Sequence, residues 1–180
     1  MKKEWAIKAL QAGKHVVIEK PVGLSAAEFQ EMLDVAYAQK KFILDGTMFN
    51  HHGRTDSVLE CVADEEKFGT LNRIESSFTF MSDAAFQESN IRARKDGDSQ
   101  GCVGDLGWYC MRYAQLVFGK LGSKVKSAQV FDNTNTKHGV SFDTTCIVRF
   151  EGVSVQLVLS LVNDFVEGTD LNIYALFYVR

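Results

Sequence analysis

Two short segments of the chain combine residue types that can move a proton. Lys20 stands immediately before Pro21, at the end of a short apolar run, and Asp105 and Tyr109 lie four residues apart much later in the chain. Residues four apart on a helix share one face, so Asp105 and Tyr109 can address a single ligand. The competing structural roles are a solvated lysine at a strand end, an aspartate that caps a helix and a tyrosine packed in the core.

Taken together, the two segments predict acid/base chemistry of the kind that alcohol oxidation requires. Removing a hydride from an alcohol carbon also requires removal of the hydroxyl proton. A free tyrosine has a pKa of about 10 and is a poor base at neutral pH, but a neighbouring lysine cation favours the phenolate. We therefore expect Lys20 and Tyr109 to form an acid/base unit, with Asp105 positioned to hold a substrate hydroxyl.

Other polar residues give weaker signals. His51 and His52 are adjacent in the sequence, so their side chains face apart, and no carboxylate or cysteine follows at metal-ligand spacing. A loop or helix-entry role is favoured for them, and no metal site is predicted. Arg92 and Arg94 could bind an anion, although most arginines in charged loops are simply solvated.

The composition is that of an ordinary globular protein. The chain has 180 residues, of which 46% are apolar and 24% charged, and its formal net charge of -3 gives no electrostatic footprint for nucleic acid. No stretch approaches the apolar length that spans a bilayer. The four cysteines are far apart and show no C-x-x-C spacing, which predicts reduced thiols and a cytoplasmic location.

The first part of the chain alternates helices and short apolar strands. We predict a helix near Lys3–Ala12, a strand at His15–Ile18, a helix from the capping residue Ser25 to about Gln39, and a second strand at Lys41–Leu44. This order is typical of an open α/β sheet, in which ligands bind beyond the carboxyl ends of the strands. Lys20 follows the first of those strands. The layer begins with too few strands, so we expect the chain to lack its beginning.

The pattern changes after Gly46. We predict a helix over Arg54 to about Glu66, a long alternating run over Leu71–Phe80, a charged loop over Ser82–Gly104 and a helix over Asp105–Phe118. Further strands are expected near 124–131, 143–150, 153–161 and 171–179. Their connections are mostly antiparallel, so the second part is predicted to be an α+β layer with one large sheet.

Several of these segments resemble one known family. EWAIKALQAGKHVVIEKPVGLSAAEF closely resembles the glucose-fructose oxidoreductase / inositol dehydrogenase / MocA family, whose signature is A-G-K-H-V-x-x-E-K-P. GTMFNHHGRT, NIR and GDLGWYC resemble the branch that contains trans-dihydrodiol and D-xylose dehydrogenases. The likeness runs from about Trp5 to about Tyr174, nearly the whole chain.

The resemblance implies a fold and an assembly. It implies an α/β remnant of a Rossmann domain over residues 1–46, followed over residues 47–180 by an α+β domain with one large, mostly antiparallel open sheet. In this family the first domain binds NAD or NADP, and the second contacts substrate and carries the sheet through which homo-oligomers form.

The resemblance also implies an oxidoreductase that transfers hydride between NAD or NADP and a sugar, polyol or vicinal diol. Lys20 matches the lysine of the family's E-K-P motif, which lies by the nicotinamide, and Tyr109 matches the tyrosine that this branch uses as acid/base. The expected site comprises Lys20 and Tyr109 as catalytic residues, Glu19, Lys20 and Pro21 as cofactor contacts, and Asp105, Arg92 and His52 as substrate contacts.

Three departures from the family pattern shape the expectations. The dinucleotide fingerprint G-x-G-x-x-G is absent, so we expect weak cofactor binding. Gly53 stands where this branch usually has proline, and ALFYVR ends the chain where the family's sheet normally continues. We therefore expect a chain truncated at both ends, which aggregates or oligomerises. The alternative function is a catalytically silent fragment that acts as a sheet-mediated assembly module.

Overall fold

A computed structural model of the chain describes residues 1–80, 82–160 and 171–179, and for 153–160 and 171–179 it describes the backbone alone. These residues divide into two compact units, Met1–Asn50 and His51–Arg180, here called unit 1 and unit 2. Among the helices in the described part of the chain, none is both long enough and apolar enough to cross a bilayer.

Unit 1 contains two helices and two parallel strands. The elements are α1 (Lys2–Gln11), β1 (Val16–Ile18), α2 (Ala26–Ala38) and β2 (Ile43–Asp45), and β1 pairs with β2 in parallel register. The predicted start of α2 is confirmed, because the Ser25 hydroxyl accepts a hydrogen bond from the Glu28 amide at 3.2 Å. This arrangement directs the carboxyl ends of both strands to the same edge of the sheet.

The core of unit 1 is small. It is formed by buried side chains from both helices and from β1: Ala6, Leu10, Ile18, Met32 and Ala36. Several large apolar side chains of the same unit are largely exposed, among them Val17 on β1 at 71% and Phe42 just before β2 at 78%. The described residues of unit 1 therefore leave part of its apolar surface in contact with solvent.

The helices of unit 2 differ in part from the predicted ones. A single helix was expected from Arg54 to about Glu66, but the structure has α3 (Gly53–Ala63) and α4 (Glu65–Phe68). The break occurs because Asp64 leaves the helical conformation and its carboxylate accepts a hydrogen bond from the Lys67 amide at 3.2 Å, which caps α4. The charged segment expected to be a loop contains α5 (Ala84–Ser89), which is capped in the same way by Asp83.

Unit 2 has a five-stranded sheet in the described part of the chain. Its strands are β3 (Leu71–Phe80), β4 (Val125–Asn135), β5 (Ser141–Phe150), β6 (Val153–Ser160) and β7 (Leu171–Val179), in the spatial order β4-β5-β6-β3-β7. The pair β3–β6 is parallel and the other three pairs are antiparallel. Position 161, expected to end the third of the late strands, lies outside the described residues.

One long helix, α6 (Trp108–Lys120), packs its apolar face against this sheet. Phe118 is fully buried and its ring lies 4.6 Å from that of Phe150 on β5, while Ile74 on β3 is also fully buried. Removing a buried phenylalanine ring from such a core costs about 3–5 kcal/mol. The packing therefore fixes the helix that carries Tyr109.

Candidate active site

The Glu19–Pro21 segment, here called the E-K-P turn, lies beyond the carboxyl end of β1. Next to it, the Gly46 amide donates a hydrogen bond to the Ile18 carbonyl at 2.8 Å. A Cβ at position 46 would stand 3.3 Å from the Glu19 carboxylate, so a side chain there would require that carboxylate to shift by a few tenths of an ångström. The turn and the residue that follows β2 thus occupy one edge of the parallel pair, the edge at which α/β sheets bind ligands.

A lysine that the sequence analysis did not single out holds the main chain of the E-K-P turn. The Lys2 ammonium donates hydrogen bonds to the carbonyl oxygens of Glu19 at 3.2 Å, Lys20 at 3.0 Å and Pro21 at 2.9 Å. The Lys20–Pro21 peptide bond is cis. Because an ammonium has three donors and no acceptor, three successive carbonyls satisfy it fully.

Replacing Lys2 with methionine is expected to loosen the E-K-P turn while leaving α1 folded. Methionine keeps the length of the apolar stem but has no donor for the three carbonyls. Exchange of the amide hydrogens of residues 19, 20, 22 and 23 should become faster. Lys3→Met is the matched control, since Lys3 pairs with Glu31 on α2 and not with the turn. Equal exchange rates in the two variants would show that Lys2 does not hold the turn.

Asp105 lies in a π-helical turn, Val103–Gly107, that leads directly into α6. Short π-helical segments are rare and are frequent at functional sites. Asp105 is only 5% exposed. A Cβ at Gly104 would stand 2.6 Å from the side chain of Gln100, one turn earlier, so the packing of this turn depends on glycine at that position.

Arg92 and Asp105 form an ion pair. The Arg92 Nε lies 3.2 Å from the Asp105 Oδ2; the arginine side chain is about half exposed and the carboxylate nearly buried. Arg92 belongs to the short 3-10 turn Ile91–Ala93, whose first turn is capped by the Asn90 carboxamide. A buried carboxylate is costly unless it is paired, and Arg92 supplies the pairing. Two residues that were predicted as substrate contacts are thereby brought together.

Tyr109 is half-buried on the first turn of α6, immediately after the π-helical turn. Its ring packs against Phe78 of β3, with centroids 5.4 Å apart and the planes tilted by 46°. The helix therefore positions Tyr109 one turn beyond Asp105, and the sheet fixes the ring. Asp105 and Tyr109 are therefore four residues apart on one continuous helical segment, whose first part is a π-helical turn. That they address one ligand stays a prediction.

The cysteines near this segment are poor alternatives as proton-transfer groups. Burial raises the pKa of the Cys110 thiol to about 11, and burial likewise raises the pKa of the Cys102 thiol to about 11. Both thiols are therefore protonated at neutral pH. Cys102 lies 3.4 Å from the Thr144 hydroxyl and serves as a buried packing residue.

His52 is the N-cap of α3, and its Nδ1 accepts a hydrogen bond from the Arg54 amide at 3.1 Å. This is the helix-entry role that the sequence favoured. Its substrate contact stays a prediction. In the described part of the chain, no cluster of three or more His, Cys, Asp or Glu side chains could hold a metal ion.

The two halves of the expected site lie in different units. Unit 1 carries Glu19, Lys20 and Pro21, whereas unit 2 carries Asp105 and Tyr109 together with Arg92 and His52. The pairing of Lys20 with Tyr109 stays a prediction.

Comparison with known protein families shows which family the chain belongs to. The GFO/IDH/MocA C-terminal domain matches residues 59–175, and the oxidoreductase family with an NAD-binding Rossmann fold matches residues 1–46. The chain belongs to the GFO/IDH/MocA oxidoreductase family. The resemblance noted in the sequence is confirmed, and residues 1–46 are part of an NAD-binding Rossmann fold in this family.

Among curated members of the GFO/IDH/MocA family, similar proteins include a sugar reductase and a diol dehydrogenase. The chain is 31% identical over 166 residues to the dTDP-3,4-didehydro-2,6-dideoxy-alpha-D-glucose 3-reductase of Streptomyces violaceoruber, covering 91% of this chain and 46% of the relative. It is 27% identical over 146 residues to human trans-1,2-dihydrobenzene-1,2-diol dehydrogenase, covering 79% of this chain and 40% of the relative. The chain thus spans about half the length of the curated relatives it matches.

Solved structures of oxidoreductases share the fold. GenD2 from gentamicin A biosynthesis, solved with NAD, superimposes with a TM-score of 0.81 at 19% identity, covering 97% of this chain and 48% of GenD2. KijD10, a 3-ketoreductase from Actinomadura kijaniata solved with NADP and TDP-benzene, gives a TM-score of 0.73 at 26% identity over 89% of this chain and 47% of KijD10. The Rossmann-like oxidoreductase fold predicted for the chain is therefore confirmed.

Proposed function

We propose that the chain supplies the substrate and proton-transfer side of a hydride transfer between NAD or NADP and a sugar, polyol or vicinal diol. In this proposal residues 1–46 are the C-terminal part of a dinucleotide-binding domain. Residues 47–180 form the substrate and oligomerisation domain, built on one large, mostly antiparallel open sheet. The proposal is supported above all by the buried Asp105 carboxylate. This carboxylate pairs with Arg92 and lies one helical turn before Tyr109.

The E-K-P turn fits the nicotinamide end of such a cofactor. It lies at the carboxyl edge of two parallel strands, where Gly46 leaves space beside Glu19. When bound, NAD or NADP supplies the hydride acceptor or donor, and Glu19, Lys20 and Pro21 would hold its nicotinamide-ribose region. The pyrophosphate of a dinucleotide rests on a glycine-rich turn at a helix N-terminus, and no G-x-G-x-x-G occurs in the 180 residues. We therefore propose that this chain binds the cofactor weakly.

The residues of unit 2 would handle the substrate. The Tyr109 phenolic oxygen takes the hydroxyl proton during oxidation and returns it during reduction, and Lys20 assists this proton transfer. Asp105 accepts a hydrogen bond from a neighbouring substrate hydroxyl, while the exposed part of the Arg92 guanidinium contacts a further substrate oxygen. His52 would add a contact at the entry of α3.

A substrate with neighbouring oxygen atoms suits this arrangement. Asp105 and Tyr109 lie one helical turn apart, so each can bind one of two adjacent oxygens on the same molecule. The names of two relatives, a dideoxy-glucose 3-reductase and a dihydrobenzene diol dehydrogenase, support the same substrate class. We infer that sugars, polyols and vicinal diols are the compounds to test first.

The proposed function is tested by turnover of the purified chain. Formation of NADH or NADPH is followed with a panel of sugars and diols at millimolar NAD or NADP, because cofactor binding is expected to be weak. A chimera that places the N-terminal part of the Streptomyces violaceoruber reductase before residue 1 is assayed in parallel. Turnover in the chimera with slow or no turnover in the chain supports the proposal. No turnover in a folded chimera, or tight micromolar cofactor binding by the chain alone in calorimetry, would contradict it.

One observation favours the alternative of a catalytically silent assembly module. All eleven residues of β4, which lies at one edge of the sheet order, are exposed, and they include Val130 at 61% and Phe131 at 57%. An exposed sheet edge with large apolar side chains invites pairing with another chain. We propose homo-oligomerisation through the sheet under either function.

The four free thiols support a reducing, cytoplasmic compartment.

The chain is expected to be oligomeric in solution, and substitutions on β4 should reduce its association. Val130→Lys and Phe131→Lys each place a charge on the exposed strand without disturbing a buried contact. Light scattering should show a smaller particle for these variants. Phe42→Lys is the control, since it alters an exposed apolar residue of unit 1. A monomeric wild-type chain, or an equal effect of all three substitutions, would contradict assembly through the sheet.

A further inference from the structure

The turn between β4 and β5 contains a buried hydroxyl that bonds to a distant segment. Thr136 is 7% exposed, and its Oγ1 donates a hydrogen bond to the Ala93 carbonyl at 2.9 Å, across 43 positions of sequence. The same oxygen accepts from the amides of His138 at 3.3 Å and Val140 at 3.4 Å. One hydroxyl thus closes its own turn and ties it to another part of the molecule.

The segment it holds is the 3-10 turn that carries Arg92. Ala93 is the last residue of that turn and is 1% exposed. On the N-terminal side, the backbone amide of Arg92 donates a hydrogen bond to the Asn90 carboxamide oxygen at 3.0 Å. The main chain is therefore held on both flanks of the arginine whose guanidinium reaches Asp105. The Asn90 contact is local and exposed, whereas the Thr136 contact is long-range and buried.

Two further contacts join the region of the β4–β5 turn to the residues around Arg92. Lys137, the next residue in the turn, forms an ion pair with Glu88 of α5, just before the Arg92 turn. Gly101 packs so closely on the main chain of Ser141 that a Cβ there would collide with it. Both contacts join residues on or just after the β4–β5 turn to residues 88–101.

We propose that Thr136 is a positioning residue for the Arg92–Asp105 ion pair. Its hydroxyl fixes the Ala93 carbonyl, this fixes the Arg92 turn, and the guanidinium then meets the carboxylate that binds substrate. The substrate role of Asp105 rests on the proposed function, whereas the placement of Arg92 by Thr136 does not. Loss of the hydroxyl would leave the buried Ala93 carbonyl without its hydrogen-bond donor. The carbonyl can regain a partner only if the turn moves.

The test compares Thr136→Val, which keeps the shape and removes the hydroxyl, with Thr136→Ser, which keeps the hydroxyl. Thr134→Val, on the exposed part of β4, is the control for a β-branched substitution nearby. In the full chain, amide exchange of residues 90–98 should become roughly tenfold faster in Thr136→Val alone, which corresponds to the loss of one buried hydrogen bond. Arg92 should also react faster with an arginine-specific dicarbonyl reagent, measured by peptide mass spectrometry against Arg94.

The catalytic readout is the split between KM and kcat. The KM for substrate should rise in Thr136→Val with kcat nearly unchanged, and serine should restore it. Unchanged exchange and unchanged Arg92 reactivity would overturn the proposal. A released Arg92 with an unaltered KM would support the placement of Arg92 by Thr136 and contradict the substrate role of the Arg92–Asp105 pair. If the wild-type chain and chimera show no turnover, the proposed function fails, while exchange and arginine reactivity still decide whether Thr136 places Arg92. If Thr136→Val melts below the assay temperature, Thr136→Cys, a weaker donor of similar size, takes its place in the same comparison.

Discussion

Replacing Tyr109 with phenylalanine is expected to lower turnover by roughly 100- to 10,000-fold, the range that a positioned general acid or base contributes. The ring keeps its contact with Phe78, so α6 and the sheet should remain folded. Only the hydroxyl is lost, and with it the group proposed to take the substrate proton. Turnover and cofactor affinity are measured on the active form, chain or chimera, and the affinity should be nearly unchanged.

Tyr113→Phe is the matched control for this prediction. Tyr113 lies on the next turn of α6, and burial raises the pKa of its phenol, so that the phenol stays protonated at neutral pH. It also packs against the core of unit 2. Loss of turnover and cofactor affinity by equal factors in Tyr109→Phe would indicate a packing role for Tyr109. Equal effects of Tyr109→Phe and Tyr113→Phe on turnover would do the same.

Replacing Asp105 with asparagine is expected to weaken substrate binding by roughly ten- to a hundredfold, since hydrogen bonds to charged groups contribute about 1.5–3 kcal/mol. Asparagine has the same shape, but it cannot form the ion pair with Arg92 or accept from a substrate hydroxyl as strongly. The effect should appear in KM and in the dissociation constant measured by titration.

Asp96→Asn is the control for Asp105→Asn. Asp96 also pairs with an arginine of the same segment, Arg94, with Nη2 and Oδ2 2.6 Å apart, but its side chain is 69% exposed. Exposed ion pairs of this kind contribute little, so substrate affinity and stability should be close to wild-type. If Asp105→Asn affected only the melting temperature and left KM unchanged, the carboxylate would be structural.

The parts of the fold that depend on neighbouring residues could be predicted from the sequence. Ser25 and Glu28 mark the start of α2 because the cap is a contact three residues long. The strand that ends at Ile18 is bounded by glycine and proline, and it was found where expected. The break at Asp64 also depends on a local cap, but it was not predicted.

The pairing of distant strands could not be predicted in this way. The parallel partnership of β3 with β6 joins residues far apart in the chain, and the alternation of apolar residues within each strand is the same for any partner. For the same reason the sequence reveals the candidate residues but not what holds them. The π-helical turn at Asp105, the carbonyl contacts of Lys2 and the hydrogen bond from Thr136 all depend on segments that meet only after folding.

The proposed acid/base unit requires the side chains of residues 20 and 109 to come together. A cross-linking experiment measures this most simply. Lys20→Cys and Tyr109→Cys are combined in a chain with Cys61→Ser, which removes the exposed native thiol, and treated with a short bismaleimide. We expect an efficient intramolecular cross-link within the same chain. Lys14→Cys with Tyr109→Cys, which places one thiol before β1 instead of after it, should cross-link poorly. Absence of the 20–109 cross-link in a folded protein, or equal yields from positions 14 and 20, would show that Lys20 and Tyr109 do not form the proposed acid/base unit.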